Sequence, residues 1–308
     1  MRSLWKCGGG QEGWWGRTHL LRSANDFGER KKIGARFSET MSLLLFTDLD
    51  GTLLNHDNYA YEGAKPALKR IEAEKIPLII VTSKTRQEVK ALQKELGLEE
   101  PFIVENGGGI FFPQNYSNFK IGDYKRKNDD CVVQLGRSYD DIRRFFLEVK
   151  AQFGIKGFGD MDVQQIINLT GLPRHQAQLA QQRDFTEPFI IEKESKIDAL
   201  EALALKEGMK ITRGGRFYHL IGIGQDKGKA VEVLIEVFKN NLNNNIVTVG
   251  LGDSQNDIPM LQQVDIPVLI PKLDGEYEDV DLSNMIRAKY PGSIGWNETV
   301  IGILDRWL

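Results

Sequence analysis

The stretch LLLFTDLDGTLL, residues 43–54, constrains this chain more than any other. Leu43, Leu44, Leu45 and Phe46 form an unbroken apolar run, the pattern of a strand buried on both faces of a parallel sheet. The run delivers Asp48 and Asp50, followed by Gly51 and Thr52. Ionised carboxylates at the end of an apolar strand are costly unless a cation or hydrogen-bond donors meet them. Two of them one residue apart therefore require a charged partner from elsewhere in the chain.

The downstream pattern says where such partners arise. An amphipathic helix is expected over 64–75, a buried strand over 76–81 ending at Thr82-Ser83-Lys84, and a helix over 86–96 stopped by Gly97. A short strand over 101–104 leads into Glu105-Asn106-Gly107-Gly108-Gly109. After a less regular middle, Asp226 caps a helix from Lys227 to Lys239. A strand over 246–249 then opens into Gly252-Asp253-Ser254-Gln255-Asn256-Asp257. A last strand is expected over 267–270, an acidic loop over 272–281 and a closing helix over 299–307. Strands alternating with helices predict a Rossmann-like, doubly wound parallel sheet with function at the strands' C-terminal ends. Residues 42–122 and 223–308 are expected to form that α/β core. Residues 123–222 are read as an inserted α+β cap, with helices over 140–153, 162–168, 173–182 and 196–207. Its strands are expected over 131–135, 189–191, 210–212 and 217–221, the last two joined by a glycine hairpin at 213–216.

Composition narrows the class. The chain has 308 residues, 41% hydrophobic and 27% charged, in the range of soluble globular proteins. A net charge of −3 supplies no field for nucleic acid, and no apolar run reaches the ~18 residues of a membrane span. With only Cys7 and Cys131, neither a disulfide framework nor a cysteine metal site is expected, and a reducing cytoplasmic setting fits. Residues 1–41 lack hydrophobic periodicity and carry Trp5, Trp14 and Trp15. They are expected to be a disordered, dispensable extension, with Met41 as a functional start.

If the strands are neighbours, Asp48, Asp50, Thr82, Lys227, Asp253 and Asp257 share one crevice. A carboxylate nucleophile, an oxygen-coordinated Mg²⁺, a lysine and a second carboxylate for the proton are what phosphoryl transfer needs. In order and spacing the set resembles the haloacid-dehalogenase-like phosphohydrolases. The resemblance implies Asp48 as nucleophile and metal ligand, and Asp50 as general acid/base with its carbonyl on the metal. It implies Thr82, or its neighbour Ser83, on the phosphoryl group, and Lys227 bridging nucleophile and phosphate. Asp253 would bind the metal, with Asp257 supporting it and Asn256 facing the phosphate.

The finer likeness is to the mannosyl-3-phosphoglycerate phosphatases of that superfamily. It rests on Thr82-Ser83-Lys84-Thr85, Glu105-Asn106-Gly107-Gly108, Arg183–Phe189, Thr212–His219, Asp226–Ala230 and Gly292–Asn297. It implies a small phosphorylated sugar-glycerate substrate, mannosyl or glucosyl, with a broader sugar-phosphate phosphatase as the alternative. Lys84 and Asn106 are candidate substrate contacts. Arg183, Arg213 and Arg216 are candidates to clamp the glyceric carboxylate, Glu187 to accept from sugar hydroxyls, and Gly214 with Gly215 to form an anion nest. His219 is read as a satisfied strand residue, Trp296 as packing, and Asn297 as a side chain near enough to reach the site. The sequence is silent on oligomeric state.

Overall fold

The computed structural model describes residues 42–127, 130–214, 217–242 and 245–308. The expected N-terminal extension lies outside them, as do Gly215 and Arg216. The first six strands in chain order are β1 (Ser42–Thr47), β2 (Leu78–Val81), β3 (Phe102–Val104), β4 (Gly109–Pro113), β5 (Lys125–Lys127) and β6 (Asp130–Gln134). Next come β7 (Ile155–Gly157), β8 (Glu187–Ile191), β9 (Met209–Gly214) and β10 (Phe217–Gly222). The last are β11 (Ile246–Gly252), β12 (Ile266–Leu269) and β13 (Ile286–Arg287). A nine-stranded sheet runs β13-β12-β11-β1-β2-β3-β4-β6-β5, parallel from β13 to β3 and antiparallel beyond.

Strand β1 lies inside this sheet, and its alternating residues enter two separate cores. Leu43 and Leu45 pack on one face with α1 (Lys65–Ala73), Val89 of α2 (Arg86–Leu96) and the last helix; Leu44 and Phe46 pack on the other. Strand β2 divides the same way, Leu78 and Ile80 against Ile79 and Val81. A strand covered on both faces has no polar side to display, which is why both read as continuous apolar runs.

The smaller sheet, β7-β8-β10-β9, is antiparallel. One face carries α3 (Tyr139–Phe153) and α6 (Ile197–Lys206) through Phe146, Leu200, Phe189 and Leu220. On the other, Phe217 and Ile190 pack with Phe158 and with α4 (Val163–Thr170) and α5 (Arg174–Ala180).

The boundary expected at 123 shifts. Strand β6 pairs onto β4 in the large sheet and β5 onto β6, and Val132 enters one core while Cys131 enters the other. A strand buried on both faces belongs to the core, so the smaller sheet and its helices begin only with α3. On the remaining side of the core lie α7 (Lys227–Asn241) and α8 (Ile258–Leu261).

The closing helix α9 (Gly292–Trp307) starts seven residues before the expected 299. Its glycine-rich first turn reads as loop. A Cβ at Gly295 would stand 1.7 Å from the carbonyl oxygen of Tyr290, so close backbone approach requires that glycine.

Candidate active site

Strand β1 has β11 on one side and β2 on the other, so the loops after all three strands open at the same edge. Neighbouring strands lie about 4.8 Å apart, which brings the expected residues within reach of one another. Asp48 follows β1 and is 6% exposed. Lys227, the first residue of α7 and 1% exposed, donates from Nζ to Asp48 Oδ1 at 2.6 Å and to Asp257 Oδ1 at 2.5 Å. Asp226 caps that helix by accepting from the Lys229 amide at 2.7 Å, which fixes where Lys227 begins.

The second oxygen of Asp257 accepts from the amides of Asp253 and Ser254 and from the Ser254 hydroxyl. This buried carboxylate therefore organises the 253–257 loop. Gly252 leaves it room, since a Cβ there would lie 2.4 Å from Asp257 Cβ. Asp253 accepts from Thr52 Oγ1 at 3.0 Å. Gly51 is doubly required: its φ is +86°, and a Cβ would stand 2.5 Å from Asp253 Oδ2. The Asp-Gly-Thr step thus both turns the chain and seats Asp253.

Asp48, Asp253 and Asp257 each offer a carboxylate oxygen, all within 4.8 Å of one another. Burial, then the Asp257 charge, push Asp48 well above the ordinary carboxylate range against the pull of Lys227. The same two causes push Asp253 up to about 7. Burial alone would lower the Lys227 ammonium, but Asp257 and Asp48 outweigh it and hold its pKa above the ordinary value. One buried ammonium among three crowded carboxylates is electrostatically incomplete. Hard oxygen donors in this arrangement fit a divalent cation such as Mg²⁺.

Asp50 is set apart. Its Oδ2 pairs with Lys84 Nζ at 2.9 Å, while Oδ1 is buried without a partner among the described residues. Lys84 also lies over the Tyr59 ring, 5.0 Å from its centroid. Thr82, 1% exposed at the end of β2, accepts at Oγ1 from the Lys84 amide. Asn256 donates to Asn106 Oδ1 at 3.0 Å, joining the 253–257 loop to the loop after β3. Beneath Asp48, Trp296 Nε1 donates to Thr47 Oγ1, which donates to the Asp48 carbonyl. Trp296 is thus both packing residue and buttress. Asn297 does not reach the site; its Oδ1 accepts from the Ala67 amide at the start of α1.

A family model described as haloacid dehalogenase-like hydrolase matches residues 45–271. The chain belongs to that family. Over 263 residues it is 57% identical to a glucosyl-3-phosphoglycerate/mannosyl-3-phosphoglycerate phosphatase of Persephonella marina, covering 85% of this chain and 97% of that protein. A protein of the same description from Methanococcoides burtonii is 39% identical over 270 residues, covering 86% and 98%. Among solved structures, a Bacteroides thetaiotaomicron phosphatase of the haloalkanoate (HAD) superfamily aligns with a TM-score of 0.60 at 17% identity, covering 88% and 97%. It shares the fold.

In this haloacid dehalogenase-like hydrolase the cap residues depart from expectation. Arg213 stacks on Tyr218 and pairs with Glu194 at 3.4 Å. Its register partner is Tyr218, which stacks on Phe189 on the face covered by α3 and α6. Arg183 instead lies over Phe158, which meets Phe217 on the opposite face. Successive residues of a strand point to opposite faces, so the sheet separates Arg183 from Arg213 and the joint clamp does not form. Arg183 Nη1 donates to the Ser83 carbonyl at 3.0 Å, directly beside Thr82.

Glu187 is fully buried and accepts from Tyr139 Oη and Arg143 Nη1 at Oε2 and from the Gly159 amide at Oε1, so it is turned into the cap's own structure rather than toward a sugar hydroxyl. Gly214 pairs with Phe217 in the β9–β10 ladder, and the remainder of the expected nest lies outside the described residues. His219 is not the satisfied strand residue expected. Its Nδ1 is buried without a partner among the described residues, and burial with nearby Arg183 pushes its pKa down to about 3. Glu105 and Gln225, both buried polar residues at the cap's edge, receive no function from the sequence, although Glu105 heads one of the motifs that carry the family likeness. The one available signal was a charged residue heading the glycine turn Glu105–Gly108.

Proposed function

We propose that this chain is a Mg²⁺-dependent phosphatase acting on mannosyl-3-phosphoglycerate, releasing mannosylglycerate and inorganic phosphate. The observation that carries the chemistry is the buried contact of Lys227 with both Asp48 and Asp257, beside Asp253. The substrate class rests on the 57% identity to the Persephonella marina phosphatase over 97% of its length. That relative's description joins glucosyl- to mannosyl-3-phosphoglycerate, and so does that of the Methanococcoides burtonii protein. Glucosyl-3-phosphoglycerate is therefore the second reading.

In this proposal an Asp48 oxygen attacks phosphorus and the bond from phosphorus to the glycerate oxygen breaks. Asp50 gives its proton to the departing oxygen, leaving an aspartyl-phosphate. Water then attacks phosphorus with Asp50 taking its proton; the acyl-phosphate bond breaks and restores the Asp48 carboxylate. The unpartnered Asp50 Oδ1 is an oxygen free to carry that proton. Lys227 holds Asp48 in line, while Thr82, with Ser83 beside it, takes a phosphoryl oxygen. Asp48, Asp253 and the Asp50 carbonyl would hold Mg²⁺, with Asp257 orienting Asp253 and Lys227. When bound, Mg²⁺ supplies charge neutralisation at the phosphoryl oxygens.

Lys84, Asn106, Arg183 and Asn256 border the same opening and are proposed as substrate contacts, with the cap shaping its roof. A buried free thiol at Cys131 suits a reducing, cytoplasmic setting. Among the described residues no helix is long and apolar enough to cross a membrane.

A side-by-side measurement of kcat/KM with mannosyl- and glucosyl-3-phosphoglycerate and with hexose phosphates tests the reading. The glycosyl-3-phosphoglycerates should exceed hexose phosphates by roughly 100-fold, as a recognised carboxylate allows. Equal turnover of all three removes the substrate assignment.

A further inference from the structure

Three consecutive residues after β3 adopt left-handed backbone: Glu105 (φ +50°), Asn106 (φ +56°) and Gly107 (φ +86°). For Glu105 that conformation costs on the order of 1 kcal/mol, so its surroundings must hold it there. They do so from two directions. Below, the Glu105 amide donates to the Lys84 carbonyl at 3.1 Å and the Asn106 amide to the Thr82 carbonyl at 3.0 Å. The turn is thereby tied to the loop that borders the catalytic opening.

Above, the Glu105 carboxylate, fully buried, accepts from the Asp184 amide at Oε1 (2.7 Å) and from the Phe185 amide at Oε2 (3.0 Å). Its carbonyl accepts from Gln225 Nε2 at 2.6 Å, and Gln225 Oε1 accepts from the Gly222 amide at 3.2 Å. Residues 184–185 follow the cap's α5, and residues 222–225 are the chain's return from the cap to α7. A loop of the cap and the chain's return from the cap to the core are thus bound to one side chain and its own carbonyl. The join is tight. A Cβ at Gly108 would stand 2.4 Å from Phe185 Cβ, and one at Gly136 would stand 2.3 Å from Gln225 Oε1.

Packing alone does not call for a carboxylate here, because burying one is costly; burial pushes Glu105 up to about 7 despite Arg183 and the two amides. What the carboxylate provides, and an apolar residue would not, is two acceptors spaced for consecutive backbone amides.

We propose that Glu105 is the positioning residue that registers the cap on the catalytic floor. By gripping the amides of Asp184 and Phe185 it sets where Arg183, bonded to the Ser83 carbonyl, stands beside the reacting phosphate. This rests on the phosphatase reading above. It makes substrate recognition depend on a residue that touches no substrate.

The test compares wild type with Glu105→Gln on mannosyl-3-phosphoglycerate and on 4-nitrophenyl phosphate, which has neither sugar nor carboxylate for a cap to read. Glutamine keeps the shape but turns one acceptor into a donor facing an amide hydrogen. A displacement of about 1 Å can cost 100-fold, so kcat/KM for the glycosyl substrate should fall roughly 10- to 100-fold. Hydrolysis of 4-nitrophenyl phosphate should change less than about 3-fold, and the Asp184 and Phe185 amides should exchange hydrogen faster. An equal loss on both substrates, or no loss on either, overturns the proposal. Should Glu105→Gln fail to fold, Gln225→Met loosens the same seam by releasing the Glu105 carbonyl and the Gly222 amide together, and an unchanged ratio between substrates in that variant also overturns it. A wild type inactive on both substrates refutes the phosphatase reading instead.

Discussion

The core and the cap of this protein use charge in opposite ways. At the C-terminal edge of the large sheet, Asp48, Asp253 and Asp257 crowd around one lysine, and the burial that raises Asp48 and Asp253 is left uncompensated by the protein. In the cap, Glu187 meets Tyr139, Arg143 and a backbone amide, while Arg143 and Lys150 both meet Asp160 at 2.8 and 2.9 Å. There these buried charges find partners within the domain, although burial still holds the Glu187 pKa above its ordinary value. In the proposed reading, unmatched charge marks the place for a cation and a phosphate, and matched charge marks architecture. The cap's charged residues are therefore poor guides to its substrate, even where their sequence motif is the distinctive part of the chain.

That contrast can be broken from either side. The largest effect is expected from Asp48→Ala, which removes the proposed nucleophile and should lower phosphate release by about 10⁴-fold or more. Residual turnover within tenfold of wild type would show that the crowded carboxylates are not the reaction centre. Glu187→Ala should act on stability instead. Leaving Arg143, Tyr139 and the Gly159 amide without their acceptor should cost about 3–5 kcal/mol in urea unfolding, while 4-nitrophenyl phosphate turnover changes less than about 3-fold. A loss below about 1 kcal/mol would mean that the matched charges do not hold the cap.

A smaller effect concerns pH, at the seam between the two regions. Burial raises Glu105 from 4.5 to about 7 in the folded protein, so folding favours its neutral form. What protonation adds to stability is relief of a buried charge, fully present below pH 4.5 and lost as pH rises through about 7, while the two-acceptor grip belongs to the ionised form. Relative to Glu105→Gln, wild type should lose on the order of 2–3 kcal/mol between pH 4.5 and 7.5. A difference that stays flat in paired denaturation curves would remove the buried-carboxylate account. The smallest effect belongs to Arg213→Ala. With a 63% exposed side chain paired to an exposed Glu194, Arg213 should change stability by less than about 0.5 kcal/mol and KM by less than about 3-fold. A tenfold rise in KM would return it to the substrate site.

Much of the core was legible because local rules and global fold agree there. The apolar runs of β1 and β2, Gly97 closing α2 at φ +70°, and Asp226 capping α7 each state their own structure. Strand β6 is not legible as part of the core because a short strand looks the same at the edge of a core as in a separate cap. Only its pairing with β4 decides. The glycine-rich start of α9 hid a helix for a related reason: Gly295 answers to the approach of Tyr290, which no local pattern reports.

By itself, then, the sequence determined which groups meet at the end of β1. Parallel strands put their C-terminal loops on one edge whatever the details, so Asp48, Lys227, Asp253 and Asp257 had to converge. The tertiary structure decided everything that depends on direction. It put Arg213 and Arg183 on opposite faces of a sheet, turned Glu187 inward, and made Glu105 the grip on Asp184 and Phe185. The physical reason is that a side chain's identity sets what it can bond, while the facing and register of its strand set what it does bond.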